Sequence, residues 1–387
     1  MPSLPIPTHE AMIHSAQLSN LIQKEIAQAG GYIPFARFME LALYAPGLGY
    51  YSAGSHKLGK KGDFTTSPEI SPLFAHCIAK QCQQILSEIE NPHILEFGAG
   101  SGKFACDLLL ALENADCLPI HYFILEISAD LRLRQKQFFE AHCPHLLSRI
   151  QWLDSLPQEK FSGIIFANEV LDAMPVHCFH VQGQGFKEKC VGFENHFLWK
   201  LTESTSPLLT QKVTELINQC HLPDSYESEI NLWAESWIQA LSDSLEKGII
   251  LLIDYGYGSK ERYHPERMTG SLMCHYQHHR HDDPLQLVGL QDITAHVDFT
   301  AIANAAVENQ LDVVGYTTQA AFLMACGILE LAHQQSLSDL EIYQQNQAIK
   351  MLTLPSQMGE IIKVMALSKK ITLPLLGFQL HDRRHDL

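Results

Sequence analysis

Ile94-Leu95-Glu96-Phe97-Gly98-Ala99-Gly100-Ser101-Gly102 decides the reading of this chain. Two apolar residues lead into an acid and then three glycines at alternate positions. Behind them, Lys103-Phe104-Ala105-Cys106-Asp107-Leu108-Leu109-Leu110 reads as helix. The pattern is a short buried strand, a tight turn and a helix N-terminus. Glycine reaches backbone angles closed to other residues and lets a ligand approach the main chain closely. The N–H groups of a helix start favour a ligand's negative groups. A nucleotide-like ligand is one reading of such a turn; a turn that binds nothing is the other. A dinucleotide calls for G-x-G-x-x-G. Here the third glycine comes one residue early, at Gly102, and Lys103 fills the expected slot.

Outward from the turn, short apolar runs alternate with helical segments. Ile94–Phe97 is strand one, and its helix runs through Leu112. Tyr122-Phe123-Ile124-Leu125 is strand two, and 131–141 is its helix. Strand three is Ile150-Gln151-Trp152, strand four Gly163-Ile164-Ile165-Phe166-Ala167, and strand five Ile249-Ile250-Leu251-Leu252-Ile253. Continuous apolar strands with helices between them predict an α/β fold on a buried, doubly wound parallel sheet. Upstream, helices are predicted over 10–29, 34–44 and from Ser71-Pro72 to Asn91-Pro92, with a turn-rich segment at 54–71 holding Lys57, Lys60 and Lys61. An irregular segment of that length points to function. The expected organisation is a helical N-terminal cap over 1–90, with a cofactor-lining loop, and a core over 91–387. Insertions follow strand four (about 177–247) and strand five (about 255–297). Helical pieces at 319–331 and 337–350 complete the tail.

Hydrophobic residues make up 46% of the 387-residue chain and charged ones 18%, an ordinary globular composition. A formal charge of −16 argues against broad nucleic-acid binding, which needs concentrated Lys and Arg. The longest apolar run, 320–329, is too short to span a bilayer, so no membrane insertion is expected. No secretory or transit signal is readable, and the ten cysteines are scattered without a C-x-x-C pair. Reduced, buried thiols and a cytoplasmic location are the expectation. His275, His278, His279 and His281 follow no standard zinc spacing, so no metal is expected.

Several acids stand where strands end. In open α/β sheets ligands sit beyond the carboxyl ends of the strands. Glu126 follows strand two and could accept both ribose hydroxyls, a role shared by dinucleotide and methyl-donor folds; a solvated loop acid is the alternative. Asp154 follows strand three and could accept an adenine amino group, or simply cap a helix. Ala167-Asn168-Glu169-Val170-Leu171-Asp172-Ala173-Met174-Pro175 follows strand four. For methyl transfer this edge faces the acceptor, and a protein chiefly aligns donor and acceptor. An arginine acceptor stays protonated in free solution, so a carboxylate must hold the guanidinium and polarise one nitrogen. Glu169 is placed for that, with Asp172 as a second acid; two acids favoured by a helix dipole are the alternative. His296, in Asp292-Ile293-Thr294-Ala295-His296-Val297-Asp298-Phe299, is a candidate proton carrier or gate, or a structural histidine.

The spacing G-x-G-x-G behind Glu96 resembles the first motif of class I S-adenosylmethionine-dependent methyltransferases. Gly62-Asp63-Phe64-Thr65-Thr66-Ser67-Pro68-Glu69-Ile70-Ser71, Asn168 to Pro175, Ile253-Asp254-Tyr255-Gly256, His278 to His281, Asp292 to Phe299 and Met358-Gly359-Glu360-Ile361 add to it. Together these stretches resemble the MidA family, which comprises the mitochondrial complex I assembly protein-arginine methyltransferase and its bacterial homologues. The resemblance implies a class I (Rossmann-like) core with a helical N-terminal extension and S-adenosyl-L-methionine as cofactor. It places Gly98, Gly100, Gly102 and Glu126 at the cofactor, with Ser67, Pro68 and Glu69 lining the same pocket; Glu96, Asp154 and Asn168 are further cofactor-binding candidates. Glu169 resembles the first acid of the acidic loop in protein-arginine methyltransferases, and His296 the histidine of their acceptor-side loop. The second glutamate of that loop is missing, and Asp172 is a shorter substitute. The implied partner is a protein substrate, such as a respiratory-complex subunit, and a homodimer stays open. The implied activity is arginine methylation of a protein. A cofactor-binding assembly factor and a methyltransferase for a small molecule or lipid are the alternatives.

Overall fold

The computed structural model describes residues 4–53, 66–333 and 337–387. They divide into two compact units, one of 4–53, 172–235 and 257–298, the other of 66–171, 236–256, 299–333 and 337–387.

The second unit is built on one sheet. Its strands are β1 (His93–Phe97), β2 (Tyr122–Leu125), β3 (Ile150–Leu153), β4 (Phe161–Asn168), β5 (Leu245–Tyr257), β6 (Asp312–Thr318) and β7 (Ile362–Lys369). Across the sheet they run in the order β3-β2-β1-β4-β5-β7-β6. Neighbours from β3 to β5 are parallel, whereas β7 is antiparallel to both β5 and β6. The chain winds outward from β1 through β2 and β3, then returns to place β4 on the other side of β1. That reversal opens a crevice at the carboxyl ends of β1 and β4.

Helix α1 (Pro72–Leu86) starts as the sequence predicts: Ser71 Oγ accepts the Leu73 N–H at 3.2 Å, and proline occupies the first turn. Its face of Phe74, Cys77, Ile78, Cys82 and Ile85 belongs to one buried cluster with Ile94, Leu108, Ile124 and Phe166. Phe104, on α2 (Lys103–Asn114), stacks on Phe166 with ring centres 4.4 Å apart. Helix α3 (Ala129–His142) is capped by Ser128, whose Oγ accepts the Leu131 N–H. The structure therefore divides the chain elsewhere than at residue 90, because α1 packs into the core of the sheet. Helix Phe299–Glu308 and strands β6 and β7 add to the sequence reading of the tail.

The first unit is not all helical. Tyr32-Ile33-Pro34 is a short strand pairing antiparallel with Gly185–Phe193, which also pairs with His177–Gln182 and Phe197–Thr202. Glu227–Ile230 completes this sheet beside His177–Gln182. Helix His9–Gln28 buries Leu18, Ile22 and Ile26 in one cluster with Phe35, Phe38 and Val191. A smaller sheet orders His279–His281, Met273–Tyr276 and Asp292–Thr294. Among the described residues, no helix is long and apolar enough to cross a membrane.

Candidate active site

After β1 the chain turns through Gly98, Gly100 and Gly102, whose φ angles are +62°, +54° and +83°. Side-chain-bearing residues rarely adopt this left-handed backbone, which is why three glycines occur within five residues. The turn is held on both sides. The Gly98 N–H donates to the Leu125 carbonyl at 3.1 Å, and Gly102 caps α2. Ser101 Oγ donates to the carboxylate of Glu69 and accepts the Lys103 N–H at 3.2 Å. Glu69 sits with Ser67 and Pro68 on the one-turn helix Ser67–Ile70. Ser67 is fully buried: its hydroxyl donates to Gln319 Oε1 at 2.8 Å and its N–H to Glu169 Oε1 at 3.4 Å. The predicted motif around Ser67 thus meets both the glycine turn and Glu169. Its first residues, Gly62 to Thr65, and the lysines at 57, 60 and 61 lie outside the described residues.

Glu126 follows β2 and is buried. Its Oε1 accepts the Ser128 N–H at 3.0 Å and its Oε2 the Gln135 side-chain amide at 3.2 Å. Burial raises its pKa, opposed by those two hydrogen bonds and by the nearby charge of Arg132. Arg132 also reaches the end of β3: its Nη1 pairs with Asp154 Oδ1 at 2.7 Å and its Nη2 donates to the Leu153 carbonyl at 2.7 Å. The Asp154 side chain is 91% exposed, so the predicted adenine acceptor stands open to solvent with one oxygen committed to a guanidinium.

Glu96, on β1, is buried in the sheet, where its Oε2 accepts the Tyr122 hydroxyl at 2.9 Å. Burial pushes its pKa up to about 8, partly offset by that hydrogen bond. A carboxyl protonated in the folded protein and ionised in the unfolded chain loses stability as pH rises between the two pKa values. From pH 6 to pH 8, Glu96→Gln is therefore expected to gain about 2 kcal/mol over the parent, because the amide mimics the neutral acid. Urea midpoints at the two pH values test this; a difference independent of pH would mean that Glu96 stays ionised.

The loop after β4 carries the second group of candidates. Glu169 has φ +53°, left-handed and strained for a residue with a side chain. Its N–H donates to the Ile253 carbonyl at 2.8 Å, and its Oε1 accepts the Asn168 amide at 3.1 Å. Asp254, on β5 and fully buried, accepts the N–H groups of Val170 at 3.1 Å and Leu171 at 2.8 Å through one oxygen. Its other oxygen accepts the Tyr255 N–H at 2.8 Å. Asn168 Oδ1 is buried and has no hydrogen-bond partner among the described residues.

Asp172 and His296 belong to the first unit. The Asp172 carbonyl accepts the Ala295 N–H at 2.9 Å, which joins the main chains of the two motifs there. The Tyr44 hydroxyl donates to the Ala173 carbonyl at 2.9 Å, and the Tyr51 hydroxyl to Asp292 Oδ1 at 2.8 Å. Burial and the Asp292 charge keep the Tyr51 phenol protonated. The His296 N–H donates to Ser271 Oγ at 3.0 Å, and its ring lies edge-on to Tyr257. The histidines of 275–281 line a hairpin in which His279 Nδ1 meets the Gln277 carbonyl at 2.7 Å. Among the described residues, no group of three or more His, Cys, Asp or Glu side chains could hold a metal ion.

Gln135, Arg132 and Asp254 went unassigned in the sequence. Asp254 had a readable signal, an acid at the end of a strand, the same signal that picks out Glu126. Gln135 and Arg132 lie within a helix and carry none.

A left-handed glycine turn, a buried carboxylate at the end of β2 and an unpartnered carbonyl oxygen on Asn168 suit a nucleoside bearing an amino-acid tail. Sheet order and site together define a class I S-adenosylmethionine-dependent methyltransferase. Residues 77–317 match the family described as "Putative S-adenosyl-L-methionine-dependent methyltransferase", and the chain belongs to that family. A crystal structure of a "likely methyl transferase" from Burkholderia thailandensis, bound to S-adenosyl-homocysteine, is 40% identical. It matches 100% of both chains with a TM-score of 0.95. A mitochondrial protein arginine methyltransferase NDUFAF7 homolog of Drosophila melanogaster is 28% identical over 90% of this chain and 85% of its own. The Danio rerio protein arginine methyltransferase NDUFAF7 is 26% identical over 95% and 93%. S-Adenosylmethionine is the cofactor.

Proposed function

We propose that this methyltransferase acts on an arginine side chain of a partner protein. The observation that carries the reading is Glu169, an acid held in a strained backbone at the carboxyl end of β4, braced by Ile253 from β5 and by Ser67. The relatives named as protein arginine methyltransferases support it. Gly98, Gly100, Gly102 and Glu126 would hold the cofactor, Asn168 Oδ1 would accept its amino group, and Ser67, Pro68 and Glu69 would brace the turn. Bound S-adenosylmethionine supplies an activated methyl group. Glu169 takes the guanidinium through charge-assisted hydrogen bonds, which orient it and concentrate electron density on the attacking nitrogen. Asp172 and His296 are assigned to acceptor recognition on their motifs alone.

Incubating the protein with labelled methyl donor and an extract of its own cells tests this. Label is expected in the protein fraction, released by acid hydrolysis as methylarginine. Label in small molecules or lipids, or on another amino acid, overturns it.

A further inference from the structure

We infer that Gln135 is a positioning residue for the cofactor's ribose: its carboxamide sets the Glu126 carboxylate and the main chain of the glycine turn for the two hydroxyl groups. The inference rests on Glu126 as the ribose acceptor.

Gln135 lies on α3 with no exposed surface. Its Nε2 donates to Gly100 O at 3.0 Å and to Glu126 Oε2 at 3.2 Å, and its Oε1 accepts the Trp152 indole N–H at 2.9 Å. A primary amide has two N–H groups, so both of its donors are committed. Gly100 follows β1, Glu126 follows β2 and Trp152 lies on β3, so one side chain ties together the ends of three adjacent parallel strands. Glycine at 102 belongs to the same arrangement, because a Cβ there would lie 3.4 Å from the Cα and Cγ of Gln135.

A core filler would serve equally well as methionine, which matches glutamine in length and makes no such bonds. Gln135 instead spends its polar atoms on segments that border the cofactor. The Ser128 N–H fixes one oxygen of Glu126 and Gln135 the other, which defines the plane of the carboxylate. Each oxygen keeps a lone pair for a hydroxyl. Holding an acceptor in place before the ligand arrives removes an ordering cost from binding.

Calorimetry with S-adenosyl-homocysteine and its 2′-deoxy analogue tests this on the intact chain without any methyl acceptor. The parent is expected to prefer the hydroxyl-bearing ligand by about tenfold, the worth of one hydrogen bond to a charged group. Gln135→Met is expected to weaken S-adenosyl-homocysteine about tenfold and to shrink that preference to about twofold. Trp152→Phe, which removes only the indole N–H, moves both quantities in the same direction by a smaller factor and serves if the first variant does not fold. Equal losses for the two ligands, with the preference kept, overturn the inference and leave Gln135 a packing residue. Glu126→Gln separates the two layers. If it abolishes the preference while Gln135→Met keeps it, the positioning role alone falls. If it keeps the preference, the ribose assignment falls as well.

Discussion

Glu169→Gln is expected to bind S-adenosyl-homocysteine within about twofold of the parent and to lose methyl transfer by about a hundredfold or more. The amide keeps an oxygen where Glu169 Oε1 accepts the N–H of Ser67 and the amide of Asn168, so the local fold survives. What disappears is the negative charge that grips a guanidinium. Because φ at this position is +53°, a second comparison isolates the backbone. Glu169→Ala and Glu169→Gly lose the same side-chain bonds, but only glycine sheds the left-handed strain. The glycine variant is expected to be about 1 kcal/mol more stable than the alanine variant, against the usual order of the two residues. Urea denaturation measures that difference, and label transfer from the methyl donor measures the first effect. Undiminished transfer by Glu169→Gln removes the residue from the reaction.

Asp254→Ala is the other large effect. Three main-chain N–H groups, of Val170, Leu171 and Tyr255, bond to this one buried carboxylate. Deleting it strands them in a place that water reaches poorly, at a cost of about 3–5 kcal/mol. The loop that presents Glu169 would lose its anchor, so transfer is expected to fall even at temperatures where the protein remains folded. Asp254→Asn keeps an accepting oxygen but no charge and should lie between the two. Both variants are read by urea midpoint and by methyl transfer. A full-activity Asp254→Ala protein would show that the loop is held by something else.

The core was legible where its chemistry is local. β1 to β5 are continuous apolar runs, and each lies within a few residues of its expected place. The glycine turn and the acids after β2 and β4 follow from the rule that ligands gather at strand ends. β6 and β7 were not legible because they enter the sheet antiparallel, after a helical tail, and nothing in Ile362–Lys369 says which strand it will pair with. Tyr32–Pro34 is three residues long and is a strand only because Gly185–Phe193 lies beside it. Gln135 was invisible for a similar reason: its importance lies in partners from three other elements. Glu227–Ile230, four residues inside the insertion after strand four, is likewise a strand only because His177–Gln182 lies beside it.

The pairing of Tyr32 with Gly192 imposes an order on biosynthesis. The first strand of the chain has no neighbour until the ribosome has released a stretch more than a hundred residues further on. At translation speeds of about 5–20 residues per second the wait is roughly ten to thirty seconds. During that interval the apolar face of Leu18, Ile22, Ile26, Phe35 and Phe38 has none of its later partners from the Gly185–Phe193 region to cover it. A nascent chain of this design is expected to be most prone to aggregation before the cofactor-binding half is complete.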